Sequence, residues 1–111
     1  MSTTPSRLSG VQADAIAEEL REQYMWRVSR LQELNTLVET TEGDGYLRQR
    51  TLADLAATER AIKEIEKGLA RLSERDYGRC EDCGASIPYE RLKIRPLTRH
   101  CMPCRRAHES R

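Results

Sequence analysis

All four cysteines of the 111-residue chain lie in one stretch, as Cys80-Glu-Asp-Cys83 and Cys101-Met-Pro-Cys104, with seventeen residues between the pairs. A CxxC pair can wrap one side of a tetrahedral ion, and this gap is the spacing of a four-thiolate zinc site. Zinc(II) takes four thiolates without redox chemistry and needs no further ligand. Two disulfides are the alternative, and they belong to secreted domains. Residues 1–10 (MSTTPSRLSG) hold no apolar run that would serve as a signal peptide. The pattern therefore predicts one structural Zn2+ on Cys80, Cys83, Cys101 and Cys104, in a reducing, cytoplasmic setting. His100 and His108 are alternative ligands, but four cysteines suffice.

A closed four-thiolate ion offers no open coordination position, so zinc catalysis is not expected. The chain also holds no Ser/His/Asp set, phosphate loop or HExxH helix. Carboxylate pairs such as Glu18/Glu22 read as a solvated helix face. An enzyme is thus not the expected function.

The elements that must position the cysteines follow from composition. Hydrophobic residues make up 38%, charged residues 33%, and Phe is absent. That is too polar for a thick core, and it suits long exposed helices joined along a narrow seam. The net charge of +1 hides an asymmetry: residues 1–79 carry 12 Lys/Arg against 14 Asp/Glu, and residues 80–111 carry 7 against 4. No stretch approaches 18 consecutive apolar residues, which excludes a helical membrane span.

Residues 1–8 read as a disordered N-terminus. Ser9-Gly-Val-Gln12 is a capping box. Ile16, Leu20, Tyr24, Val28, Leu31, Leu34 and Val38 then recur at helical steps. Tyr24, Met25 and Trp26 widen that apolar face, which suggests contact with another element such as the C-terminal module. The pattern stops at Glu39-Thr-Thr-Glu-Gly-Asp-Gly45, where two glycines break the helix and Asp44 can cap the next. In the second periodic stretch, which begins with Leu52, a heptad seam runs through Leu55, Thr58, Ile62, Ile65, Leu69 and Leu72. Gly68 weakens this helix for no reason visible in the sequence. Gly78 is the expected stop. Two such helices bury their stripes against each other, giving an antiparallel coiled-coil hairpin over 9–77 with its tip at 39–45. Residues 78–111 form the zinc module, ending in a short helix from Pro103. The fold class is mainly α: a long hairpin, a small four-cysteine zinc ribbon and a short C-terminal helix. A monomer is expected, since the turn favours folding back over pairing between chains.

Within the ribbon, Gly84 relieves crowding in the turn after Cys83. Ile87, Leu92 and Ile94 are the aliphatic core candidates, and Pro88 and Pro96 argue against long strands. Arg91, Lys93, Arg95, Arg99, Arg105 and Arg106 form either a solvated surface or a patch for phosphates or an acidic protein surface. Tyr89 is the one aromatic there, too few for base stacking along a single strand.

These residues resemble a known family. The hairpin followed by Asp-Tyr-Gly-Arg-Cys80-Glu-Asp-Cys83-Gly, then Ile87-Pro88-Tyr-Glu-Arg91-Leu92-Lys-Ile-Arg95-Pro96 and Cys101-Met-Pro-Cys104, is similar to the DksA/TraR zinc-finger proteins of bacteria. The likeness is dense from about Ile62 to Cys104. The resemblance implies a transcription regulator that binds RNA polymerase and inserts its coiled-coil arm into the secondary channel, modulating initiation. It implies a polymerase-contacting tip at Glu39, Glu42 and Asp44, although the family's Asp-x-x-Asp-x-Ala tip is not reproduced. It also implies a basic shoulder at Arg91, Arg95 and Arg105. A family lysine for the nucleotide ppGpp falls on Glu64, a charge reversal, so weak or absent ppGpp binding is expected. The alternative is a zinc-ribbon nucleic-acid-binding protein with a dimerising coil. Direct DNA binding is not expected under the leading reading.

Overall fold

A computed structural model describes residues 8–74 and 77–110. The expected disordered N-terminus, apart from Leu8, lies outside these residues, as does Asp76. Four helices follow in order: α1 Gly10–Thr40, α2 Gly45–Leu72, α3 Tyr89–Ile94 and α4 Met102–Glu109. The described residues pair extended backbone at a single bridge, Arg79 with Ser86.

α1 starts as its capping box dictates. Gln12 N–H donates to Ser9 Oγ, and Ser9 N–H donates back to Gln12 Oε1, both at 3.1 Å. α1 ends at Thr40, and α2 is capped by Asp44, whose carboxylate accepts from Leu47 N–H at 3.0 Å. The break therefore spans residues 41–44, tighter than the 39–45 expected from the glycines. It closes because two donors reach the exposed end of α1. Thr41 Oγ1 and Arg48 Nη1 both donate to the Val38 carbonyl, at 3.1 and 3.0 Å.

The hairpin seam is a heptad repeat. Thr51, Thr58 and Ile65 are buried seven residues apart, with Leu72 half-buried at the next step. Leu55, Ile62 and Leu69, half-buried, fill the alternate positions. Leu52 falls off this repeat and is exposed. Thr51 and Thr58 sit inside without orphaned hydroxyls, since each donates to the carbonyl four residues back, Leu47 and Asp54, at 2.8 Å. α1 contributes Ile16, Leu20 and Leu34, all buried, and half-buried Tyr24, Val28, Leu31 and Val38. All seven apolar positions expected on α1 thus face inward.

The main core lies at the base of the hairpin. Ile16, Leu20 and Ile65 from the arm join Tyr77, Cys80, Ile87, Leu92 and Cys101 from the C-terminal module in one cluster. Burying a large aliphatic side chain contributes ~1.5–3 kcal/mol. Leu20, Ile65, Ile87 and Leu92 are fully buried there, against Leu34 alone further out.

Several positions depart from the sequence reading for tertiary reasons. Gly68 is buried because the module presses on α2: an added Cβ would lie 2.6 Å from Leu97 Cδ2 and 3.4 Å from Leu20 Cδ1. α2 stops at Leu72, six residues before Gly78, where the Ser73 hydroxyl donates to Ala70 O at 2.7 Å. Gly78 instead turns the chain with φ +87°, and its carbonyl accepts from Ile87 N–H. Ile94 is 77% exposed, and Tyr77 takes the core place expected of it. The Tyr77 hydroxyl donates to Pro96 O at 2.7 Å. Burial pushes this phenol up to about 12, against a smaller lowering by the Arg71 guanidinium. Of the three residues expected to widen the α1 face, Tyr24 packs against the base cluster, whereas Met25 and Trp26 are 69% and 63% exposed. Tyr89 and Lys93 of α3 instead share a cavity with Ala15, Ile16 and Glu19, nearer the start of α1.

Gly68→Leu should overpack the junction between α2 and Leu97. The expected cost is about 1–3 kcal/mol, read as a lower denaturant midpoint. A stability equal to the parent chain would mean that the junction is looser than this packing requires.

Candidate metal centre and its arm

The first cysteine pair sits on a tight turn. Cys80 N–H donates to Ala85 O at 2.7 Å, and Gly84 N–H donates to Cys80 O at 2.9 Å. Gly84 adopts φ +75°, a conformation that strains residues bearing a Cβ. The second pair starts a helix: Cys101 is the N-cap of α4, Pro103 lies in its first turn, and Arg105 N–H donates to Cys101 O at 2.9 Å. Glu81 N–H donates to Arg99 O at 2.8 Å and ties the two halves together.

The ligand atoms of Cys80, Cys83, Cys101 and Cys104 all lie within 4.8 Å of one another. Cys83 Sγ and Cys101 Sγ are 3.7 Å apart. Zn–S bonds of ~2.3 Å at tetrahedral angles set sulfurs ~3.8 Å apart, so the donor set fits the ion. Burial pushes the Cys80 thiol up, but the backbone N–H groups of Cys101, Cys83 and Asp82, with the Cys104 side chain, outweigh it and bring the thiol down to about 6. The Ala85 N–H lowers Cys83, yet contacts to Cys101 and Cys80, with burial, leave it raised. Cys104 is pushed up strongly by the Cys101, Cys80 and Cys83 sulfurs. Four crowded sulfurs cannot all ionise alone, and a divalent cation removes that conflict by binding them as thiolates.

The other expected site residues are spread along the molecule. Glu39 and Glu42 are exposed at the far end of the hairpin. Asp44 has a structural task there as the α2 cap. Of the basic shoulder, Arg91 and Arg95 line one cavity with Glu90, Ile94 and Met102. Arg91 Nη1 donates to Met102 Sδ, while its Nε and Nη2 are buried without a hydrogen-bond partner among the described residues. Arg105 is directed elsewhere, to Glu109 at 3.0 Å. Arg99 has a role the sequence did not single out. It pairs with Glu64 of α2 at 3.3 Å and Glu81 at 3.5 Å, joining arm to module. These partly exposed pairs contribute ~0.2–1 kcal/mol each. A partner 35 residues away leaves no local signal.

The sequence model of the prokaryotic dksA/traR C4-type zinc finger matches residues 75–110, the segment that carries all four cysteines. Residues 75–110 carry a C4 zinc finger of the DksA/TraR type. Its zinc is structural: four clustered thiolates in the family's finger. Among relatives of this family, the RNA polymerase-binding transcription factor DksA of Escherichia coli (strain K12) is 42% identical over 50 residues, 45% of this chain and 33% of that protein. The match thus spans about a third of the length of DksA. An uncharacterized protein of Aquifex aeolicus is 33% identical over 89 residues, 80% of this chain and 53% of its own length. The structure of transcription factor DksA2 from Pseudomonas aeruginosa superposes with a TM-score of 0.84 over 92% of this chain and 86% of that one. At 23% identity that likeness establishes the shared fold.

Chelating the zinc should unfold the finger, because structural zinc contributes roughly 10–16 kcal/mol in zinc-finger peptides. Cys101→Ser should act in the same direction. Tyr77 leaving its buried site is the expected fluorescence signal, and unchanged Tyr77 burial after complete zinc removal would contradict the reading.

Proposed function

We propose that the protein binds bacterial RNA polymerase and inserts its helical arm into the secondary channel, thereby modulating initiation. The observation that carries this reading is a slim two-helix arm fixed at one end by a zinc-held base and ending in exposed carboxylates. The longest dimension of the protein is 64 Å. The 28 residues of α2 alone reach ~42 Å. The likeness to proteins named RNA polymerase-binding transcription factor DksA supports the choice of partner.

Residues 9–77 act as the arm and 78–111 as its anchor. Glu39 and Glu42 carry the charge that meets the channel interior, while Asp44 holds the turn that presents them. Arg91 and Arg95 grip an acidic rim, while Arg105, paired with Glu109, stands apart from them. The protein works as a monomer in the cytoplasm, because each hairpin helix fills the seam of the other. It contacts polymerase and not DNA directly, and performs no catalysis. Glu64 stands where the family's phosphate-binding lysine would be, so ppGpp binds weakly or not at all.

The zinc-loaded chain with a photo-crosslinker at Glu42 tests this against purified polymerase. Crosslinks to channel-lining segments are expected. Glu39→Gln with Glu42→Gln should keep polymerase binding and lose most of the effect on promoter-complex lifetime, with or without ppGpp. Failure to co-purify with polymerase, together with salt-sensitive DNA binding, would replace this reading with nucleic-acid recognition.

A further inference from the structure

We propose that Asp82, His100 and His108 form a second divalent-metal site, suited to zinc(II), beside the four-cysteine centre. The candidate ligand atoms of these three side chains all lie within 4.8 Å of one another. His108 Nε2 is 2.5 Å from Asp82 Oδ2, and His100 Nε2 is 3.7 Å from Asp82 Oδ1. The carboxylate thus faces one imidazole with each oxygen. The two rings have centroids 4.9 Å apart and are tilted by 57°, so they converge rather than stack.

His108 is within bonding distance of Asp82, but 3.7 Å is too long for His100. Ligands on zinc bonds of ~2.0–2.1 Å at tetrahedral angles stand about 3.3 Å apart. One observed separation is shorter than that and the other longer. Small side-chain rotations bring both to the value an ion needs. The side chains are 32–48% exposed, so an ion can enter and water can complete its coordination. Two imidazoles with one carboxylate suit zinc and neighbouring transition metals. Calcium and magnesium select all-oxygen sets.

The placement of the three groups follows from the first site. Asp82 directly precedes Cys83, and His100 directly precedes Cys101. His108 follows Cys104 by four residues on α4, one turn further along the same face. Closing the four thiolates on their zinc therefore draws this second set together, and it fills only after the first.

The test titrates the full chain, already carrying one zinc, with further Zn2+ by calorimetry. A second equivalent should bind. His108→Ala, on the exposed last turn of α4, should weaken it by more than the roughly 10–100-fold that losing a mere supporting group costs. His100→Ala and Asp82→Asn should act likewise. In parallel, cobalt substitution keeps the thiolate-to-cobalt charge-transfer band of the first site in His108→Ala, separating loss of the second site from loss of the finger. Uptake of only one zinc by the parent chain would overturn the proposal. A second zinc bound equally well by His108→Ala would do the same.

Discussion

Thiolate ligation of one zinc ion draws Cys80–Cys83 and Cys101–Cys104 together across seventeen intervening residues. That segment buries few large aliphatic side chains of its own, Ile87 and Leu92. Ordering each backbone residue costs ~1–2 kcal/mol, and so small an apolar surface cannot offset that cost for the whole loop. Cys80 and Cys101 belong to the same buried cluster as Ile16, Leu20 and Ile65. The ion therefore fixes the finger and also the place where both hairpin helices begin to diverge from it.

Polar contacts extend the same joint. Arg99 reaches from the finger to Glu64 on α2 and Glu81 beside the first cysteine. Gly68 removes a side chain where Leu97 must enter, and Tyr77 spans the gap to Pro96. Each contact is modest, but all act at the base. The hairpin is thus held most firmly at the end that carries the zinc module.

The sequence was most legible where structure is decided within one turn of the chain. Ser9 and Asp44 cap the helices they were expected to cap, and the seam can be counted off from Leu55 to Leu72. The cysteine spacing named its ion because few other chemistries use four thiolates at that gap. Legibility failed where a distant segment chooses between equivalent local options. Ile94 and Tyr77 were both apolar enough for the core, and only the path of the finger selects Tyr77. Gly68 looked like a defect until Leu97 was placed against it. α3, six residues between Pro88 and Pro96, is too short for its periodicity to register. Of Tyr24, Met25 and Trp26, which read as a contact face, only Tyr24 packs against the base cluster, and α3 lies beside Ala15, Ile16 and Glu19, nearer the start of α1.

The threonines of the seam carry a mechanical consequence. At Thr41, Thr51 and Thr58 the hairpin buries side chains whose hydroxyls bond their own helix rather than the facing one. Cohesion between the helices is therefore graded, strong around Leu20 and Ile65 and thin toward the turn. Local opening should follow that gradient, with amides near residues 41–58 exchanging with solvent well before those around 62–72. The outer half of the arm can then change shape at small energetic cost, while the zinc-held half keeps its packing.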